Sequence, residues 1–183
     1  MAHYQLKTEE LESMLTTLKA GDTVSLSGTI YTARDAAHKK IFALLDEGKQ
    51  LPFEMEGAVI YYAGPTPGKD GMAVGSCGPT TSSRMDGFAP RLIKQGLTAM
   101  IGKGERAESV VDAMRGFGAV YLCAVGGAGA VIARCIKKAE VIAFDELGCE
   151  SVKRMQIEDF PCTVAIDANG GNLFVEGRKS YQK

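Results

Sequence analysis

Leu97-Thr-Ala-Met-Ile101 and Ala119-Val-Tyr-Leu-Cys-Ala-Val125 are short apolar runs, and the residues between them, from Glu105 to Arg115, read as a helix. Gly102-Lys103-Gly104 ends the first run, and Gly116 ends the helix. Short apolar runs bounded by glycine are typical of buried strands, and a helical crossover between two of them leaves the strands parallel. This segment therefore predicts a sheet that contains parallel strands with helices packed on it.

The same alternation of strand and helix extends toward the N-terminus. We predict a strand over Gly21 to Tyr31, a helix over Arg34 to Leu45, and a second strand over Gly57 to Tyr62. A further helix near Glu9 to Leu18 would precede them. Arg34 therefore lies at a junction between a strand and a helix.

Toward the C-terminus, Ala130 to Lys138 reads as a helix and Val141 to Phe144 as a strand. Thr163 to Ile166 and Asn172 to Val175 flank the stretch Asp167-Ala-Asn-Gly-Gly171. Two short runs of strand formers around a glycine-rich turn predict a terminal β-hairpin.

Composition and charge set broad limits on fold and function. Of the 183 residues, 45% are hydrophobic and 23% are charged, which is typical of a globular protein, and no linker or repeat divides the chain. We therefore predict one domain over residues 1–183, of the α/β class, with a mixed sheet covered by helices. The formal net charge of -1 predicts no nucleic-acid partner and no attraction to an anionic membrane.

Hydropathy and cysteine content predict the compartment and the type of site. The N-terminal residues lack the basic and apolar regions of a signal peptide, and no run approaches the ~18 apolar residues of a membrane span, so we expect a cytoplasmic protein. The five cysteines form an odd set without a C-x-x-C pair. This set fits neither a disulfide framework nor a self-contained zinc or iron-sulfur site, so we expect no metal ligands in this chain.

The stretch Gly78-Pro-Thr-Thr-Ser-Ser-Arg84 has the composition of a loop that binds a small anion. Glycine allows the backbone to approach a ligand closely, hydroxyl groups donate hydrogen bonds, and arginine binds a carboxylate or phosphate through two bonds. A helix predicted after the loop would add the partial positive charge of its N-terminus. The alternative is a turn that caps this helix, with Ser83 or Asp86 as the N-cap residue. Both interpretations fit the residues alone.

Three other polar residues bear on the site. Lys103, between two glycines at a predicted strand end, is either an exposed turn residue or a second clamp for the anion. Arg34, in the first turn of a helix, opposes the helix dipole unless an anion offsets it, which favours a role in binding. His38 stands beside Lys39 and Lys40, so we predict a solvated side chain rather than a catalytic one.

The spacing of glycines disfavours a nucleotide site. Five residues separate Gly96 from Gly102, where a phosphate-binding loop needs four, and Lys103 precedes a glycine instead of a hydroxyl residue. Gly127-Ala-Gly129 is followed by Ile132 where a dinucleotide fingerprint needs glycine.

Five stretches occur in order along the chain: Gly78-Pro-Thr-Thr-Ser-Ser-Arg-Met-Asp86, Ile101-Gly-Lys-Gly104, Val125-Gly-Gly127, Asp145-Glu-Leu-Gly148 and Asp159-Phe-Pro161. Together they resemble the β subunit, or C-terminal domain, of class I fumarases and of the similar L(+)-tartrate dehydratases. The resemblance runs from about Gly21 to Arg178, and the ordered set is more specific than any single motif. It implies a swivelling β/β/α domain and an oxygen-sensitive [4Fe-4S] hydro-lyase.

The resemblance also implies a partner and a set of roles. A separate α subunit would hold the [4Fe-4S] cluster on three cysteines, and this chain would complete an α2β2 heterotetramer and close over a small dicarboxylate. The open iron would act as a Lewis acid on the substrate hydroxyl, while cations stabilise the aci-carboxylate formed when the C3 proton leaves. By motif, the general base corresponds to Thr80, which also binds substrate, and the other substrate-binding residues correspond to Arg34, Thr81, Arg84 and Lys103.

Three functions are compatible with these residues. The first is the β subunit of a fumarate hydratase that interconverts (S)-malate and fumarate. The second is the β subunit of an L(+)-tartrate dehydratase, which shares the site; Ser82-Ser83 stands where family members often carry Ala-Gly or Ser-Ala, and this difference bears on substrate choice. The third is a non-catalytic module that binds a small anion.

Overall fold

A computed structural model describes residues 1–69 and 71–179, and within this part of the chain seven strands form one mixed sheet. The strands are β1 (His3–Lys7), β2 (Thr23–Thr32), β3 (Val59–Tyr61), β4 (Ala99–Gly102), β5 (Val120–Cys123), β6 (Ile136–Ala143) and β7 (Val152–Ile166). The helices are α1 (Leu11–Met14), α2 (Asp35–Asp46), α3 (Ala89–Lys94), α4 (Glu108–Phe117), α5 (Gly129–Cys135) and α6 (Leu173–Lys179). Short 3-10 segments cover Thr8–Glu10, Ser82–Met85 and Asp145–Glu150. The α/β class and the mixed sheet are confirmed.

The sheet closes on itself through its last strand. Parallel pairings join the first five strands in the order β1-β2-β3-β4-β5. β7 pairs antiparallel with both β5 and β2, and β6 pairs antiparallel with β7. The pairings β2-β3-β4-β5-β7-β2 therefore make a closed barrel, beside which β1 and β6 are added.

Alternate residues of the central strands pack into two hydrophobic clusters. In β3, Val59 and Tyr61 belong to the first cluster, whereas Ile60 belongs to the second, which also contains residues of α2, α3 and α4. β4 and β5 alternate in the same way between the two clusters. Both faces of the parallel strands are thus covered, as strands joined by helical crossovers require. No helix in the described residues has the length and apolar character needed to cross a bilayer.

The C-terminal region differs from the sequence prediction. The expected hairpin of Thr163 to Ile166 with Asn172 to Val175 is wrong, because most of the second segment lies in α6. The strands that form a hairpin are instead β6 and β7, which are connected through Asp145–Glu150. The carboxylate of Asp167 accepts two hydrogen bonds of 2.9 Å from backbone amides of the glycine-rich turn, so this turn ends β7 and leads into a helix.

Two predicted helices are shorter than expected. The segment predicted as a helix from Glu9 to Leu18 contains only part of a 3-10 segment and the four residues of α1. The helix predicted over Ala130 to Lys138 ends at Cys135, where β6 begins. β1, which pairs with β2, was not predicted.

Candidate functional site

The Gly78 to Arg84 loop lies against the carboxyl ends of β3 and β4. The backbone amide of Thr80 donates a hydrogen bond of 2.8 Å to the carbonyl of Tyr62, one residue beyond β3. Thr81 pairs with Lys103 in a short parallel bridge directly after β4. Ligands of α/β proteins bind at the carboxyl ends of parallel strands, so the loop lies where a site is expected.

Arg84 is placed between a hydroxyl group and a carboxylate. Its Nη2 atom donates a hydrogen bond to Thr80 Oγ1 and lies 3.5 Å from Asp35 Oδ2. The Arg84 side chain is nevertheless 44% exposed. A guanidinium with solvent-accessible donors next to a hydroxyl group is suited to bind a carboxylate.

Arg34 precedes α2 and is surrounded by polar groups. Its Nη2 atom lies 3.4 Å from Glu150 Oε1 and 3.9 Å from Asp35 Oδ2. Glu150 Oε2 also accepts a hydrogen bond of 3.3 Å from the backbone amide of Ala36 in the first turn of α2. Glu150 is therefore the anion that offsets a cation at this helix N-terminus. Gly64 lies beside the arginine, and a Cβ there would come within 3.1 Å of Arg34 Nη1.

Ser82 fixes the loop to the end of β4 from within the protein. Its buried Oγ accepts a hydrogen bond of 3.1 Å from the Lys103 amide, and the Ser82 amide donates one of 2.9 Å to the Lys103 carbonyl. The Tyr121 hydroxyl lies 2.8 Å from Ser82 Oγ and 2.9 Å from the Gly104 carbonyl. Because a carbonyl can only accept, Tyr121 donates to Gly104 and Ser82 donates to Tyr121. Gly102 leaves the space for this arrangement, since a Cβ there would overlap Ser82 Oγ.

The five site residues predicted from the sequence lie in one region of the surface. Arg34 and Arg84 share Asp35 as a neighbour, and Thr80 is bonded to Arg84. The bridge between Thr81 and Lys103 places both residues beside this group. The exposed Lys103 side chain extends along Gly126, in the loop after β5.

Comparison with known proteins identifies the family of this chain. A model of the fumarase C-terminus matches residues 1–177. The chain belongs to this family. Among similar proteins, "Putative L(+)-tartrate dehydratase subunit beta" of Methanocaldococcus jannaschii is 40% identical over 173 residues, which are 91% of this chain and 89% of that protein.

The fumarase C-terminal chain is also similar to part of longer enzymes. "Fumarate hydratase class I, aerobic" of Escherichia coli (strain K12) is 39% identical over 168 residues, which are 91% of this chain and 31% of that enzyme. "Fumarate hydratase 2" of Leishmania major is 38% identical over 168 residues, 91% of this chain and 30% of that enzyme. The chain thus spans less than a third of the length of these two enzymes and most of the length of the β subunit.

A buried ion pair beneath the loop was not found by the sequence analysis. Arg106 Nε donates a hydrogen bond of 2.6 Å to Asp86 Oδ1, and the Arg106 side chain is fully buried. Its guanidinium lies 4.9 Å from the ring centroid of Tyr121 and 5.4 Å from that of Tyr62. The carboxylate and the two aromatic faces offset part of the cost of burying this cation, although its Nη2 atom has no hydrogen-bond partner among the described residues. This ion pair fixes the end of the loop against the sheet.

The alternative interpretation of the loop as a helix cap is wrong. The N-cap residues of Ser82–Met85 and of α3 are Thr81 and Phe88, and neither makes a side-chain capping bond. Asp86 instead accepts a hydrogen bond of 2.7 Å from the amide of Ala107, directly before α4. The Ser83 side chain is exposed.

His38 is fully buried in α2, so the expectation of a solvated side chain is wrong. Its Nδ1 atom lies 2.9 Å from the Arg34 carbonyl, which can only accept, so Nδ1 carries the proton. The ring packs against Tyr62 and Phe88, with centroids 5.6 and 5.4 Å away. Burial lowers the pKa of His38 to about 4. A neutral histidine thus supports the backbone that carries Arg34.

We expect His38 to make the protein less stable in acid. Burial holds its folded-state pKa at about 4, below the ordinary value of 6.5, so the unfolded chain binds the proton first as the pH falls. Between about pH 7 and pH 4, this residue should lower the free energy of unfolding by about 3 kcal/mol, with no further loss below its folded pKa. Urea unfolding of the wild type and of His38→Gln across this range measures how the free energy of unfolding changes with pH. The exposed His3→Gln control should keep this pH dependence, and an unchanged pH dependence in His38→Gln would contradict the prediction.

Substitution of the two serines of the loop should change the stability of the protein by different amounts. Ser82→Ala leaves the partly buried Lys103 amide without its acceptor and removes the hydroxyl that donates to Tyr121, so we expect a loss of about 1–3 kcal/mol in the free energy of unfolding. Ser83→Ala, at an exposed position, should change it by less than about 0.5 kcal/mol. Thermal and urea unfolding of both variants tests this. Equal effects at the two positions would show that Ser82 does not hold the loop.

The cysteines do not fit an iron-sulfur cluster. Within the described residues, no three His, Cys, Asp or Glu side chains are grouped as metal ligands. Burial raises the pKa of the Cys77 thiol to about 12 and also raises that of Cys162, which disfavours the thiolate form that binds metals.

Proposed function

We propose that this chain is the β subunit of an iron-sulfur-dependent fumarate hydratase, which catalyses the reversible dehydration of (S)-malate to fumarate. The observation that carries the proposal is that Arg34 and Arg84 lie beside the same Asp35 carboxylate, with Thr80 hydrogen-bonded to Arg84. Two guanidinium groups on separate segments match a substrate with two carboxylates. Membership of the fumarase C-terminal family supports the same reaction class.

Each site residue has a role in this proposal. Arg34, Arg84 and Lys103 bind the substrate carboxylates and stabilise the charge that develops on one of them when the C3 proton leaves. Thr81 adds a hydroxyl donor at the edge of the loop. Thr80 takes the C3 proton as its own hydroxyl proton passes to an acceptor on the partner, and the hydrogen bond that Arg84 donates to Thr80 Oγ1 favours the anionic form that a base requires.

The cluster belongs to another polypeptide in this proposal. A separate α subunit holds the [4Fe-4S] group in a cytoplasmic α2β2 heterotetramer, and this chain acts as the swivelling domain that closes over the substrate. Two observations support this division: the described cysteines offer no ligand set, and the chain matches 89% of a protein named as a β subunit. When bound, the cluster supplies a Lewis acid for the substrate hydroxyl.

An L(+)-tartrate dehydratase is the second candidate. It is favoured by the Methanocaldococcus jannaschii protein, whose length this chain nearly matches and whose printed name carries that substrate. Tartrate and malate share two carboxylates and a hydroxyl group, so the same cations would hold both. Ser82 does not decide between them, because its side chain is fully buried.

Anaerobic reconstitution tests the proposal. The chain is combined with its candidate α subunit, iron and sulfide, and dehydration of (S)-malate and of L(+)-tartrate is measured in parallel. Turnover of malate supports the first function, and turnover of tartrate alone supports the second. Dicarboxylate binding without turnover of either would favour a non-catalytic anion-binding module and contradict both enzyme assignments.

A further inference from the structure

Asp35 is the first residue of α2, and its carboxylate lies between the two arginines of the site. Its Oδ2 atom is 3.5 Å from Arg84 Nη2 and 3.9 Å from Arg34 Nη2. The aspartate side chain is 31% exposed, so it faces the surface at which a ligand would arrive. One carboxylate oxygen of this chain therefore lies where two cations can share it.

The helix itself does not account for this placement. The backbone amide of Ala36 at the start of α2 is already bonded to Glu150 Oε2. In the described part of the chain, no hydrogen bond joins the Asp35 carboxylate to a backbone amide, so the ion pairs are its specific contacts. Both ion pairs are longer than a direct hydrogen bond of ~2.8 Å, and a ligand carboxylate that forms two short bonds to Arg84 would replace them at little cost.

We propose that Asp35 is an internal competitor for the substrate: in the free protein it holds Arg84 and Arg34 side by side, and a bound dicarboxylate displaces it from Arg84. This inference rests on the proposed function of the site. Asp35 is then a positioning residue that limits affinity, because its negative charge repels the incoming dianion and occupies one of the cations. Its removal should tighten binding.

The restraint on Arg84 can be measured without any substrate. Phenylglyoxal modifies accessible guanidino groups, and in the free protein the Asp35 carboxylate lies 3.5 Å from Arg84 Nη2, where the reagent would approach. In the full chain, Asp35→Asn should raise the modification rate of Arg84 by about two- to fivefold, as followed by peptide mass spectrometry. Asp112→Asn is the matched control: it removes the exposed partner that lies 3.3 Å from Arg115, so it should affect Arg115 and leave Arg84 unchanged. Asp35→Ser, which also suits a first helical turn, repeats the test if the asparagine variant folds poorly.

The displacement is measured by protection with succinate, a non-reacting dicarboxylate. Half-protection of Arg84 should need about two- to fivefold less succinate in Asp35→Asn than in the wild type. In the reconstituted enzyme, KM should fall while kcat does not rise, a split that general loss of structure would not produce. An unchanged modification rate of Arg84, or weaker protection in the variant, would overturn the inference. If succinate protected neither the wild type nor the variant while Asp35→Asn still accelerated the modification, the proposed dicarboxylate site would be contradicted. The restraint of Arg84 by Asp35 would still hold.

Discussion

Arg84→Ala is expected to lower kcat/KM of the reconstituted enzyme for its dicarboxylate by about a thousandfold. The loss of one partner from a charged pair with substrate costs about 4 kcal/mol, and each 1.4 kcal/mol corresponds to about tenfold in rate. Arg84→Lys keeps the charge but loses the planar pair of donors, so its activity should lie between those of the wild type and Arg84→Ala.

The fold should survive this change. Arg84 is 44% exposed, and the loop remains attached through the buried Ser82 and the backbone bonds to Lys103. Circular dichroism, the unfolding midpoint and the visible spectrum of the cluster should therefore match the wild type. Arg154→Ala is the control: that arginine is 49% exposed and pairs with Glu140 at 3.1 Å, far from the loop in sequence, and should leave turnover unchanged. If Arg84→Ala kept more than about a tenth of the activity, Arg84 would not be a main substrate contact.

Arg106→Met is expected to lower the free energy of unfolding by about 3–5 kcal/mol, the largest stability effect that we anticipate for a single polar residue here. The substitution leaves Asp86 largely buried without its ion pair and removes the guanidinium from the faces of Tyr62 and Tyr121. Urea unfolding at pH 7 measures the change. The expected order is wild type, then Arg106→Met with Asp86→Asn, then Arg106→Met alone, because the double change removes the unpaired charge.

The same Arg154→Ala control distinguishes the effect of losing a buried ion pair from the effect of losing any arginine charge. It breaks an exposed ion pair of 3.1 Å, which is worth less than about 1 kcal/mol. A loss in Arg106→Met no greater than in Arg154→Ala would mean that the buried pair does not stabilise the loop. If the pair supports the site as proposed, the loss in stability should be accompanied by a higher KM.

The parallel part of the fold was readable from the sequence because its signals are local. Apolar runs, glycine stops and intervening helices over Leu97 to Val125 correspond to β4, α4 and β5. Only the end of β7, Thr163 to Ile166, was predicted as a strand. The rest of β7 was not predicted, because one of its faces is exposed, charged residues interrupt the apolar pattern, and Pro161 argues against a strand interior. Its fifteen residues are held together by pairings with three different strands, which no local pattern contains.

The candidate site was also predicted only where its signals are local in sequence. Composition singled out the Gly78 to Arg84 loop. The helix dipole favoured a binding role for Arg34, whereas in the structure Glu150 of the same chain already lies 3.4 Å from its guanidinium, and nothing in the sequence indicated this contact. His38 was misjudged from its lysine neighbours, whereas the spacing of Ala37, His38 and Ile41 along one helical face is the pattern of a buried stripe. Arg106 had no usable signal, because its partner lies twenty residues away in sequence.

Closure of the barrel by β7 has a consequence for synthesis of the protein. The ribosome synthesises both arginines of the site well before residues 152–166. One edge of β2 and one edge of β5 therefore stay unpaired until β7 leaves the ribosome. Glu150, the anion beside Arg34, also arrives late, immediately before that strand. The site is therefore assembled late in synthesis. Until then the strand edges are exposed, so aggregation competes with folding most strongly at this stage.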